Sequence, residues 1–173
     1  GHGNITGSPG TVHDGIIEAV QDKFPYPNQR MIINLSGGFF ETDTVNYVED
    51  AINYAYQNNV LCVISAGNYE PSRSGSTQYI DAPATYSSYA RPFYGRSYWP
   101  NVIAVGATNF DDNLTAYSKH VPRPISQSKV TVVAPGGEGS NQIYSTTPTY
   151  SSYRWPDQTG WNYGSGTSAA APY

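Results

Sequence analysis

One cysteine, one methionine and nine basic residues are all that 173 positions supply, and each shortage removes a class of function. A single cysteine, Cys62, cannot close an intramolecular disulfide and gives no zinc-ligand spacing. It lies in the apolar run Val60-Leu61-Cys62-Val63-Ile64, where a small buried hydrophobe is expected rather than a reactive thiol, since nothing nearby would lower its pKa. Nine Lys and Arg against thirteen acidic residues give a formal charge of −4, with no positive stripe to release counterions, so nucleic acid is excluded as a partner. Long hydrophobic runs are missing as well. Stretches such as Val60 to Ala66 fall far short of the roughly 20 residues that a membrane-spanning helix needs, so no membrane partner is expected. No signal-peptide pattern opens the sequence, and any targeting segment is expected to lie outside it.

Charged residues make up 13% of the chain, about half of the roughly 25% usual in soluble domains. Polarity comes instead from Ser, Thr, Asn and 16 Tyr, and 17 Gly with 13 Pro break the chain often. This composition suits a loop-rich secreted protein. The length allows one domain with a real core.

Between the breaks, two periodicities alternate. Thr11 is placed to cap a helix carrying Val12, Ile16, Ala19, Val20 and Phe24 at helical spacing, ended by Pro25 and Pro27. Met31 to Leu35 is a short apolar run stopped by Ser36-Gly37-Gly38 and reads as a buried parallel strand. Thr42, Asp43 and Thr44 are alternative caps for a second helix with Val45, Val48, Ile52 and Ala55 on one face. Val60–Ser65, Val102–Ala107 and Lys129–Ala134 are three further strands. The order predicts an α/β fold with a mainly parallel sheet and helices on both faces. In such sheets ligands gather at the carboxyl ends of strands, which is where Ser36-Gly37-Gly38 and Ala66-Gly67-Asn68 fall.

The segment Gly164-Ser165-Gly166-Thr167-Ser168-Ala169-Ala170-Ala171-Pro172 sets a serine after glycines and before small helix formers. Small neighbours let a carbonyl approach the hydroxyl, and a helix start beneath it offers N–H groups to a developing oxyanion. Alone, a serine so placed is more often a helix cap. Five motifs together carry more. Gly166-Thr167-Ser168-Ala169-Ala170-Ala171-Pro172 resembles the nucleophile motif of the subtilisin-like serine proteases, and Ser65-Ala66-Gly67-Asn68 resembles their Ala-Ala-Gly-Asn. Ile33-Asn34-Leu35-Ser36-Gly37-Gly38, Val102-Ile103-Ala104-Val105-Gly106-Ala107 and Val133-Ala134-Pro135-Gly136 resemble three further motifs, in family order.

The resemblance implies a subtilisin-like three-layer α/β fold and serine endopeptidase chemistry through an acyl-enzyme. It implies Ser168 as nucleophile and Asn68 as oxyanion donor, with Ser36, Gly37, Gly38, Ala66 and Gly67 binding a polypeptide substrate. Tyr69 would stand at the mouth of the specificity pocket, and Ala82-Pro83 would be a cis peptide. No cofactor is required for the chemistry and no metal ligand is assigned. Structural calcium is frequent in the family, but no Asp-rich loop stands out here.

The family order of triad residues is Asp, His, Ser, and here the first two have no good match. Gly1-His2-Gly3 resembles the start of the family's His-Gly-Thr-His, yet too few residues separate His2 from Ser36 to hold the intervening elements, so His2 is a weak candidate. Residues 1–173 are therefore expected to be part of a peptidase domain. The Asp and His motifs and the C-terminal helices would lie in the remainder of that domain, which is then a partner of this chain. The competing function is a catalytically inactive subtilase-like binding or structural protein that recognises partners through its Tyr-rich loops. An esterase is disfavoured because the Gly-x-Ser-x-Gly elbow is absent.

Overall fold

The computed structural model describes residues 8–26, 28–39, 46–72, 76–87, 99–120, 130–146 and 160–173. Helix α1 spans Pro9–Asp22, strand β1 Met31–Leu35, helix α2 Asn46–Gln57, β2 Val60–Ser65, β3 Val102–Thr108, β4 Val132–Pro135, β5 Ile143–Thr146, β6 Trp161–Gly164 and α3 Thr167–Ala170. Strands β1 to β4 form one parallel sheet in chain order, and β5 pairs antiparallel with β6.

The cap of helix α1 lies three residues before the expected one. Ser8 Oγ accepts from Thr11 N–H at 3.2 Å and Pro9 takes the first helical position, where its missing N–H leaves nothing unsatisfied. Thr11 is therefore inside the first turn. The helix also ends at Asp22, so Phe24 leaves the apolar face and is 52% exposed. Ile16 and Val20 remain buried as expected.

In α2, Val48, Ile52 and Ala55 are buried with Ala51, while Val45 and the alternative caps Thr42, Asp43 and Thr44 lie outside the described residues. Asn59, at φ 54°, ends this helix in the left-handed region that Asn tolerates. Lys23 Nζ donates to Asn58 O at 2.6 Å and ties the end of α1 to that turn.

Both helices pack on one face of the sheet, against Val60, Cys62, Ile64, Val102 and Ala104. The opposite face is met by α3, whose Ala170 and Ala171 bury against Val105 and Ala107. Four residues are too few for a helix to hold itself, so α3 exists because this packing fixes it. Strand β1 is an edge strand and not the buried strand that its apolar run predicts. Ile32 is 65% exposed, and Asn34 points outward with Nδ2 donating to Ser36 Oγ at 3.0 Å. Strand β4 starts at Val132, and Lys129 lies outside the described residues.

Two further segments carry short elements. The approach to β3 forms a short 3-10 turn at Ala84–Tyr86, and Ser87 bridges Trp99. The segment before α3 ends in β6, where Trp161 stacks on Tyr144 at 5.4 Å and Tyr163 lies 4.7 Å from the same ring. No helix among the described residues is long and apolar enough to cross a membrane.

Cys62 is buried in β2, and burial alone pushes its thiol from 9.0 up to about 12. Because the folded value is raised, the associated stability is present below pH 9.0 and is lost as pH rises toward 12. The native protein is expected to resist thiol reagents at neutral pH and to react once denatured. Stoichiometric labelling of the native chain within minutes would contradict the burial.

Candidate active site

At the carboxyl edge of the sheet, four segments that are far apart in sequence converge. The β1–β2 ladder ends at Leu35 and Ile64, and beyond it the two strand ends diverge into Ser36-Gly37-Gly38 and Ala66-Gly67-Asn68. Ser168, at the second position of α3, meets Ser36 in a reciprocal pair of bonds. Ser168 Oγ donates to Ser36 O at 3.2 Å, and Ser36 Oγ donates to Ser168 O at 2.9 Å. Ser168 itself is exposed.

Asn68 is held by its carbonyl end. Thr167 N–H and Thr167 Oγ1 both donate to Asn68 Oδ1 at 3.0 Å, and Gly67 N–H donates to Thr167 Oγ1 at 3.1 Å. With Oδ1 occupied twice, the amide orientation is fixed and Nδ2 becomes the end that can donate elsewhere. Thr167 is fully buried. Its positioning role was missed in the sequence, although it sits in the nucleophile motif.

Glycines make the convergence possible. A Cβ on Gly136 would come within 2.5 Å of Ala107 Cβ and 2.8 Å of Gly166 O, and Gly166 N–H donates to Gly136 O at 2.9 Å. Gly166 has φ 152°, at the border of the region that side chains avoid. Tyr117 donates its hydroxyl to Gly137 O beside this turn. Burial raises its pKa, with smaller opposing effects from hydrogen bonds to Thr115 and Gly166.

Residues 80–82 fill the gap between the two strand ends. Asp81 N–H donates to Ala66 O at 2.9 Å, and Ala82 exchanges backbone bonds with Phe39 at 2.8 and 3.1 Å. The Ala82-Pro83 bond is cis, as the resemblance implied. Asp81 Oδ1 receives Lys119 Nζ at 2.7 Å, and the Lys119 side chain is 1% exposed. Nothing in the sequence pointed to this pair, because its partners are 38 residues apart. Lys119→Met is expected to destabilise the protein by about 3–5 kcal/mol in urea unfolding, because it removes the ammonium held 2.7 Å from the Asp81 carboxylate in a largely dry site. A loss under about 1 kcal/mol would mean that the pair behaves as a surface ion pair.

Of the expected site residues, Ser168, Asn68, Ser36, Gly37, Gly38, Ala66 and Gly67 all lie at this edge. Tyr69 is half-buried beside them, with its N–H on Tyr117 O at 2.7 Å. His2 lies outside the described residues. Among the described histidines, His13 pairs with Asp14 at 2.8 Å and His120 Nδ1 lies 2.8 Å from Ser118 O; neither is bonded to Ser168. No group of three or more His, Cys, Asp or Glu that could hold a metal gathers among the described residues, and we assign no calcium site.

A parallel α/β sheet with helices on both faces, a serine at a helix start and an asparagine at a neighbouring strand end defines the class. The chain belongs to the subtilase family, whose family model matches residues 3–173. It is 30% identical over 150 residues to the minor extracellular protease Epr of Bacillus subtilis (strain 168), covering 84% of this chain and 17% of that protein. Among solved structures it is similar to an S41 psychrophilic protease, at 24% identity and TM-score 0.66 over 98% of this chain and 48% of that one. Sphericase matches at 24% identity and TM-score 0.66 over 96% and 47%. The chain thus spans about half the length of these solved relatives.

Proposed function

We propose that this chain supplies the nucleophile and the oxyanion-hole side of a secreted serine endopeptidase, with the triad Asp and His provided by the remainder of the same peptidase domain. The observation that carries the reading is the convergence of Ser168, Thr167, Asn68 and Ser36, joined by four side-chain hydrogen bonds between segments about 100 or more residues apart. Membership of the subtilase family supports a serine peptidase, and the extracellular relative supports secretion.

In this reading Ser168 Oγ exchanges its bond to Ser36 O for a bond to the triad imidazole. It then attacks the scissile carbonyl while the base takes its proton. The carbonyl oxygen, now an oxyanion, receives the Asn68 amide and an N–H from the start of α3. Collapse expels the amine and leaves the acyl group on Ser168, and water completes the cycle. The polypeptide runs along the exposed edge at Ser36–Gly38, adding a strand to the sheet there. Ala66 and Gly67 form the facing wall.

The test is active-site labelling of the complete protein with a fluorophosphonate. Stoichiometric phosphonylation mapped to Ser168 is expected. Absence of labelling in a folded protein that retains its Asp and His motifs would overturn the reading in favour of an inactive binding protein.

A further inference from the structure

If Asn68 is to meet an oxyanion that Ser168 creates, the strand end that carries one and the helix start that carries the other must keep a fixed spacing. The hydrogen bonds leading out from Asn68 return to it through one residue, Tyr117. On the strand side, the backbone of residues 117–119 runs antiparallel beside residues 67–69. Tyr69 N–H donates to Tyr117 O at 2.7 Å, Lys119 N–H donates to Gly67 O at 3.0 Å, and Asn68 itself bridges Ser118. On the helix side, the Tyr117 hydroxyl donates to Gly137 O, in the turn whose Gly136 O receives Gly166 N–H at 2.9 Å. Thr167 follows, and its N–H and Oγ1 both donate to Asn68 Oδ1 at 3.0 Å. The circuit is closed. The Tyr117 ring packs with Val105, Ala107, Ala170 and Ala171, and a Cβ on Gly136 would come within 2.9 Å of its hydroxyl oxygen, so no side chain separates the hydroxyl from the turn.

We infer that Tyr117 is a positioning residue for the oxyanion donor, its main chain holding the strand end of Asn68 and its hydroxyl holding the turn that leads into Gly166 and Thr167. The role rests on the peptidase reading above. Thr167 also bonds Gly67 directly, its Oγ1 accepting from Gly67 N–H at 3.1 Å. Those contacts all gather at Thr167, however, and a join at one point acts as a hinge about which Asn68 Nδ2 swings. A second attachment, made away from that point, removes the hinge. Tyr117 supplies it, because it is bonded to both segments and its ring lies against α3. The hydroxyl is separable from the packing, since phenylalanine fills the same apolar space and cannot donate to Gly137 O.

The experiment uses the complete protein, one peptide anilide substrate, and fluorophosphonate titration to count active sites in every preparation. Tyr117→Phe is expected to lower kcat about 10-fold and to leave KM within about 2-fold, the pattern of a misplaced transition-state contact. In an Asn68→Ala background the same substitution should change kcat by no more than about 2-fold, because there is no longer an amide to misplace. A merely structural contact would lower the melting temperature in both backgrounds, and its kinetic loss would multiply with that of Asn68→Ala. The control is Tyr47→Phe on α2, where the side chain is 64% exposed and hydroxyl loss should alter neither kcat nor KM. Should Tyr117→Phe not fold, Tyr117→Leu keeps an apolar side chain in the cluster, lacks the hydroxyl and is put through the same comparisons; failure of both to fold makes Tyr117 structural and overturns the inference. Unchanged kcat in a folded variant overturns it too, as does an equal loss in both backgrounds or an equal loss in the control. A raised KM with kcat spared would put the hydroxyl on the substrate, and is a further refutation. A wild type that takes no label overturns the peptidase reading itself, and the titration tells that outcome apart from the others.

Discussion

Ser168→Ala in the complete protein is expected to abolish fluorophosphonate labelling and to lower kcat by about 10⁶, with the fold intact. The magnitude is the one measured for nucleophile removal in subtilisin, a member of this family, and is carried over rather than derived from this site. The geometry gives the reason for an intact fold. Ser168 is exposed, and the backbone bond that anchors it uses its carbonyl, which Ser36 Oγ reaches at 2.9 Å and which alanine retains. Only the 3.2 Å hydroxyl bond to Ser36 O is lost. Labelling that survives the substitution would remove Ser168 from the nucleophile role, and a collapse of the melting temperature would show that its hydroxyl is structural.

Asn68→Ala is expected to lower kcat by about 10²–10³ and to leave KM nearly unchanged, because a bond made only to the oxyanion is absent from the ground state. That range also comes from subtilisin, a family member. The two Thr167 bonds to Oδ1 hold the amide ready, so little reorganisation is needed when charge develops. Thr167→Val should reproduce part of the effect, because it removes the hydroxyl bond to Oδ1 and keeps the backbone one, loosening the amide while leaving Asn68 in place. Gly37 offers the contrast. Among the described residues nothing lies within 4 Å of where its Cβ would be, so a valine there is expected to fit and to obstruct a strand pairing along this edge. KM should rise and preference among peptides should shift. Steady-state kinetics in which Asn68→Ala raised KM tenfold and spared kcat would put Asn68 in the binding cleft.

What could be read in advance was local. The apolar runs at Val60–Ser65 and Val102–Ala107 are strands because β-branched and small residues fill a sheet interior, and the spacing of Val48, Ile52 and Ala55 is that of a helix face whatever it packs on. Motif spelling brought the seven expected site residues to one edge before any geometry was known. Pairing over distance was not legible. Met31–Leu35 has the spelling of a central strand, and only the sheet order makes it an edge with Ile32 in solvent. Asp81 and Lys119 look like ordinary surface charges in sequence, since neither lies in a motif or at a spacing that pairs it with the other. Their burial follows from the segment at 80–82 threading between two strand ends. Ser8 and Thr11 are both capping residue types, and Pro9 at the first helical position decides for Ser8.

The reciprocal bonds between Ser36 and Ser168 cross 132 residues, and this separation bears on when the site can form. Closing so long a loop carries an entropy cost that nearby contacts do not, and chains rich in such contacts fold slowly. The helix face of the sheet can assemble from neighbours in sequence, whereas the serine reaches its partner only after β1, β2 and β3 are already side by side. Ser36 is therefore made early in synthesis and waits for Ser168, which the chain supplies 132 residues later.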